Sequence, residues 1–108
     1  MEKYNLDDFL GGWFIGSFSP TLFDTTDVEV GVKKYKKGIK ETSHFHKIAT
    51  EFTVIIEGEV LMSGKKFKSG DIIKILPETP TDFEALSDVV TLVVKIPGAQ
   101  NDKYINKI

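Results

Sequence analysis

Residues 38–58 read GIKETSHFHKIATEFTVIIEG, and both histidines of the chain, His44 and His46, lie inside that stretch, with Glu51 five residues beyond and a glycine at either end. Alternate positions of a strand point to the same side, so His44 and His46 face one way and Phe45 the other. Lys47 to Thr50 make a turn, and Glu51 opens the next strand. Antiparallel pairing of those two strands would bring the carboxylate beside the imidazoles. Two imidazoles and a carboxylate on one face suit divalent iron, manganese, nickel or zinc, with coordination positions left open. The same residues also allow a plainer reading, in which two hydrogen-bonded core or rim histidines stand near a surface acid.

Outward from this stretch the periodicity is that of short strands. Val28, Val30 and Val32 alternate with Glu29, Gly31 and Lys33, the pattern of a strand with one buried face. Further strands are expected over Trp13–Phe18, Thr42–His46, Glu51–Glu57, Val60–Met62, Lys65–Phe67, Asp71–Leu76, Asp82–Leu86 and Val89–Ile96. Turn signals separate them at Glu57-Gly58, Ser63-Gly64, Ser69-Gly70, Pro77 to Pro80 and Ser87-Asp88. Many short strands at this spacing predict an all-β sandwich or barrel. The first dozen residues fit one short helical turn ended by Gly11-Gly12.

The segments Phe52–Ile56 and Val89–Val94 are apolar on both faces, so both faces must be covered, by a second sheet or by another subunit. A chain of 108 residues has little material for a second cover, which predicts a homodimer. One domain is expected over 1–108, with an N-terminal strand at about 13–18, a barrel core at about 28–96 and a polar tail over 97–108 that is flexible unless it lies on the partner.

Composition narrows the function classes. There are no cysteines, which excludes disulfides, thiolate metal sites and thiol nucleophiles and suits a reducing cytosol. The net charge of −2 gives no overall field for nucleic acid or anionic lipid, and the run Lys33-Lys34-Tyr35-Lys36-Lys37 reads as a solvated strand end. All 14 basic residues are lysines, so the bidentate arginine grip on phosphate is missing. No signal peptide is visible, and the apolar runs fall far short of the ~20 residues that span a bilayer. The expectation is a cytoplasmic protein with neither a nucleic-acid nor a membrane partner.

Gly38, five residues, His44-x-His46, four residues, Glu51, six residues and Gly58 resemble the first signature of the cupin superfamily. GDIIKILPETPTDFEAL, Gly70 to Leu86, resembles the second, in which a Gly-Asp turn leads to a strand, a proline-rich loop and a fourth ligand. The resemblance covers roughly residues 28–96. It implies a small double-stranded β-helix (cupin, jelly-roll) barrel with a divalent metal or a substrate inside the wide end, the metal on His44, His46 and Glu51. One position departs from the family: the histidine expected as fourth ligand falls at Thr81, and Asp82 next to it could substitute only if a bulge after Pro80 turned it inward.

Small cupins, as the resemblance implies, include sugar isomerases and epimerases and iron oxygenases. In an enzyme of that kind Glu51, if not a ligand, or a ligand-free His44 could act as base and Tyr35 as acid. The sugar-nucleotide epimerase branch resembles this chain only loosely, because its arginines are missing here. The alternatives are a non-catalytic module that binds a small ligand, metal-free because of Thr81, and a purely structural barrel. By strand parity Thr42, Thr53, Ile55 and Phe83 line the pocket, with Thr81 beside them. A mixed wall of this kind suits a small sugar or organic acid better than a lipid.

Overall fold

The period-two segments pair into antiparallel sheets, and the loops between them fall at the glycine and proline signals. The computed structural model describes residues 1–107. Two single-turn 3₁₀ segments, Leu6–Asp8 and Leu10–Gly12, precede the strands; the Asn5 side chain and Asp8 cap the first of them reciprocally. The strands are β1 (Trp13–Ile15), β2 (Glu29–Tyr35), β3 (Lys40–Phe45), β4 (Thr50–Glu57) and β5 (Glu59–Met62), then β6 (Lys65–Lys68), β7 (Ile72–Ile75), β8 (Thr81–Ala85), β9 (Val89–Ile96) and β10 (Tyr104–Ile105). Among the described residues they form two five-stranded sheets, ordered β1-β2-β9-β4-β7 and β10-β3-β8-β5-β6.

Two of the turns show how the local sequence sets the corners. Met62 pairs with Lys65, leaving Ser63-Gly64 as a two-residue hairpin loop with φ of 48° and 78°, the left-handed pair that matches strand twist. Gly58, between β4 and β5, has φ of 88°, and a Cβ there would run into the Asp88 carbonyl.

One end of the barrel is filled. Ile55, Val60, Met62, Ile75, Phe83, Ala85 and Val89 form its core, and Ile55 and Val60 are completely buried. Burying a side chain of this size contributes about 1.5–3 kcal/mol. Ile55 is therefore packing beneath the pocket and not a pocket wall, a correction to the parity reading: the strand points it inward, but at the level where the barrel is solid.

The other end is hollow, and this reverses the expected facing of β2. Glu29 and Gly31 are buried, and Lys33 and Tyr35 are half-buried and turned to the cavity, while Val30 and Val32 lie on the opposite face. The alternation is as expected, but the polar half of it faces inward. Outside, Val30 and Val32 join Leu92 and Val94 of β9 and Phe52 and Val54 of β4, which sit directly across in register. Ile56 and Ile72 extend this apolar face and are 50% and 67% exposed.

Most strand ends shift by one or two residues from expectation, and the two ends of the chain differ more. The first strand ends at Ile15, because its register against β2 already slips between Trp13 and Ile15. The tail is not loose: Tyr104 and Ile105 pair with Phe45 and His44, and Asp102 is 4% exposed. The last residue of the expected tail, Ile108, lies outside the described residues.

Candidate metal centre

His44 and His46 reach the barrel interior through an irregularity in β3. Glu41 pairs with Phe83 and His44 with Thr81, so three steps along β3 match two along β8. The extra residue is a β-bulge. It makes Glu41 and His44 both point inward and leaves Thr42 exposed. Thr42 is thus not a wall residue, as strict alternation had implied; its carbonyl accepts from His44 Nδ1 at 3.1 Å instead. His46 follows at the strand end, on the same side as His44, and is 6% exposed.

Glu51 arrives from the other sheet. β3 and β4 are not neighbours, so the antiparallel pairing expected between them is absent. The short turn after His46 carries the chain across the barrel corner, and His46 Nε2 meets Glu51 Oε1 at 3.4 Å across the interior. The two rings stand edge to face, 5.6 Å between centroids. His44, His46, Glu51, Thr53, Thr81 and Phe83 all border one cavity of about 550 Å³. Asp82 is not brought to the histidines: its side chain is exposed and accepts from the Ser63 amide at 2.8 Å.

Among the described residues, no three histidine, cysteine or carboxylate side chains stand close enough to form a ready metal centre. The donor chemistry nevertheless fits one. His46 Nδ1 lies 2.7 Å from the Asp102 carbonyl, which can only accept, so Nδ1 carries a proton and in the neutral ring Nε2 carries the lone pair. His44 is held the same way by the Thr42 carbonyl. Metal-binding histidines are commonly fixed in this manner, one nitrogen on an acceptor and the other free. His46 Nε2 is buried without a hydrogen-bond partner, since its 3.4 Å approach to Glu51 does not meet hydrogen-bond geometry. A lone pair facing a carboxylate in a buried place calls for a cation between or beside them.

The electrostatics agree with ionised Glu51 and neutral His44. Burial works to raise the Glu51 pKa, but the His46 ring when Nε2 carries a proton, the Thr53 hydroxyl at 2.9 Å and the Lys95 ammonium outweigh it and hold the carboxyl below its ordinary range. Burial lowers the His44 pKa, only partly offset by the Thr42 carbonyl. Tyr35 donates to Glu41 at 2.8 Å, and burial together with that carboxylate pushes its pKa far up.

Sequence reasoning missed several cavity residues. Glu29, Glu41, Lys33, Lys95 and Lys103 border it, as does Trp13, which lies 5.4 Å from Lys33 Nζ and 4.9 Å from Lys95 Nζ. Glu29 and Lys33 were accessible from the period of β2, had its polar half been taken as the inner one. Glu41 carried no signal, because a bulge has no composition of its own. Lys33, assigned to a solvated strand end, donates to the Gly11 carbonyl, and burial lowers its pKa.

A double-stranded β-helix protein from Klebsiella pneumoniae subsp. pneumoniae MGH 78578 superposes with a TM-score of 0.73 over 98% of this chain and 92% of its own, at 19% identity. An RmlC-like cupin from Shewanella frigidimarina NCIMB 400 does so at 0.65 over 72% of each chain, with 18% identity. The fold is the cupin barrel. Oxalate decarboxylase from Bacillus subtilis, a protein with Mn(II) centres, matches at 0.64 and 21% identity; the match covers 74% of this chain and 24% of that one. No protein-family model and no curated protein matches this cupin barrel in sequence. Among its described residues no helix is long and apolar enough to cross a membrane.

Proposed function

We propose that this cupin barrel holds a divalent first-row metal on His44, His46 and Glu51 and uses it to bind or transform a small polar substrate, a sugar or an organic acid. The observation that carries the reading is His46: Nδ1 is committed to a carbonyl, and the buried Nε2 faces Glu51 with no hydrogen-bond partner. A divalent ion bound there would supply Lewis-acid polarisation of a substrate oxygen.

The chain's own groups divide the remaining work. Tyr35 serves as a hydrogen-bond donor and not as a proton source, because burial and Glu41 hold its proton tightly. Lys33, Lys95 and Lys103 border the cavity as hydrogen-bond donors to a ligand oxygen, beside the carboxylates of Glu29, Glu41 and Glu51.

A second reading has its own observation. Thr81 stands in register with His44, where the family's fourth ligand is expected, and no closed cluster of three ligands is present. These features favour a metal-free barrel that binds a small ligand without catalysis. Metal analysis after purification without chelator separates the two. The first reading expects near one manganese, iron, nickel or zinc per chain and a raised melting temperature on adding the ion. No metal and no thermal shift would leave the second.

We also infer a homodimer through the apolar outer face of the β2-β9-β4-β7 strands, in a reducing cytosol. Phe52, Val54, Leu92 and Val94 form its centre. A face this apolar, open on an isolated chain, supports a second copy as its cover.

A further inference from the structure

Among the described residues, Asp102 is the buried acidic residue of the stretch after the last long strand, and its polar contacts end on the turn that carries His46. Its Oδ1 accepts from the Lys47 amide at 3.0 Å and the Ile48 amide at 3.2 Å. Its Oδ2 accepts from Ile48 at 3.1 Å and from Ala49 at 2.9 Å. Three consecutive backbone N–H groups thus converge on one carboxylate and form a nest around it. The same residue's carbonyl takes the proton of His46 Nδ1. Two residues later, β10 pairs with β3 at Phe45 and His44.

These contacts act in one direction. The carboxylate locks the 47–49 turn, which links His46 to the strand that carries Glu51, and the carbonyl chooses which ring nitrogen of His46 is left bare. Without an acceptor at Nδ1, a neutral imidazole would exchange between tautomers and rotate, and the bare nitrogen would face the cavity only part of the time. The tail is held on the N-terminal side as well, where the Gln100 amide donates to the Ser17 carbonyl. The strap is therefore anchored at both ends, with Asp102 between.

We infer that Asp102 is a positioning residue for the cavity: through its carbonyl it selects the Nδ1–H tautomer of His46, and through its carboxylate it fixes the turn between His46 and Glu51. Its weight for metal binding rests on the metal reading above, whereas the tautomer selection stands without it. Partners that orient a ligating histidine typically change metal affinity by about 10- to 100-fold when lost.

The test uses the full chain. Imidazole ¹⁵N spectra of metal-free protein should show His46 as a single Nδ1–H tautomer with Nε2 unprotonated. Asp102→Ala keeps the backbone carbonyl but removes the carboxylate that ties residue 102 to the 47–49 turn, so the carbonyl should leave the ring and the signature give way to a mixture, with a dispersed amide spectrum confirming the fold. Asp102→Asn, whose amide oxygen can still accept from the turn but whose NH₂ opposes the remaining donor, should fall between the two. If Asp102→Ala fails to fold, Asp102→Asn decides alone. A mixed tautomer in the wild-type protein would overturn the selection by the carbonyl, and a tautomer unchanged in the variants would overturn the role of the carboxylate in holding that carbonyl on the ring. Zinc or manganese titration then adds the second readout: binding about 10- to 100-fold weaker in Asp102→Ala is expected. Should the wild-type protein bind neither ion, the metal reading falls, and the tautomer comparison still decides the role of Asp102.

Discussion

His46 and Glu51 face each other at 3.4 Å from opposite sheets of the barrel, although only a short turn separates them in the chain. The contact spans the interior, so any change at either residue is felt by both sheets and by whatever the cavity holds. His46→Ala leaves the Asp102 carbonyl without its donor in a buried place. A loss of about 1–3 kcal/mol in urea unfolding is expected, together with loss of metal uptake. Unchanged uptake would place the site elsewhere.

Thr81 and Asp82 give a paired test of the fourth ligand position. Thr81 lies in register with His44 on the inner face, and the Asp82 carboxylate is bound to the Ser63 amide. Thr81→His should tighten metal binding. Asp82→Asn should leave it within twofold, and a marked loss in calorimetric titration would show that Asp82 turns inward after all.

Ile55 tests where the pocket floor lies. It is completely buried in the filled end of the barrel. Ile55→Ala should cost about 2–5 kcal/mol of stability with metal affinity unchanged, since the cavity it creates is in the core and not at the site.

Tyr35 sets the alkaline limb of stability. Burial and the Glu41 carboxylate raise its pKa above the ordinary value of 10.0. The folded state then keeps a proton that the unfolded chain releases, so this contribution is complete below the unfolded value and declines as pH rises through and beyond it. Tyr35→Phe should flatten that decline and cost about 1 kcal/mol at neutral pH through the lost bond to Glu41. Denaturant midpoints measured from pH 7 to 11 check both; an identical slope in the variant would remove Tyr35 from the account.

The outer face of β4 and β9 predicts the oligomeric state. Leu92 and Val54 sit opposite each other there. Sedimentation should give a dimer for the wild-type chain and a monomer for a Val54→Lys, Leu92→Glu double variant. A stable wild-type monomer would refute the dimer.

Much of the fold was legible in the sequence. The full Val89–Ile96 strand, the Glu57 end of the strand that carries Glu51 and the Ser63-Gly64 hairpin were all readable, because alternation and turn chemistry are local properties. So was the shared facing of His44 and His46, since a spacing of two keeps its side of a strand wherever the strand goes. The motif glycine at Gly58 was readable for the same reason: a left-handed backbone beside the Asp88 carbonyl admits no other residue without strain.

What the sequence alone determined, then, is the alternation of strands and turns, the common side of the two histidines and the exclusion of thiolate chemistry. Tertiary structure decided which half of each alternation faces inward. Periodicity states that two faces differ, but whether the apolar one is core or outer surface depends on what packs against it; at β2 the cavity took the polar half. It also decided the bulge that turns Glu41 inward and Thr42 out, because one extra residue shifts side-chain parity without changing composition. Most of all it placed Asp102 on His46 across 56 residues of chain, a contact no local pattern encodes because it exists only after both sheets have closed.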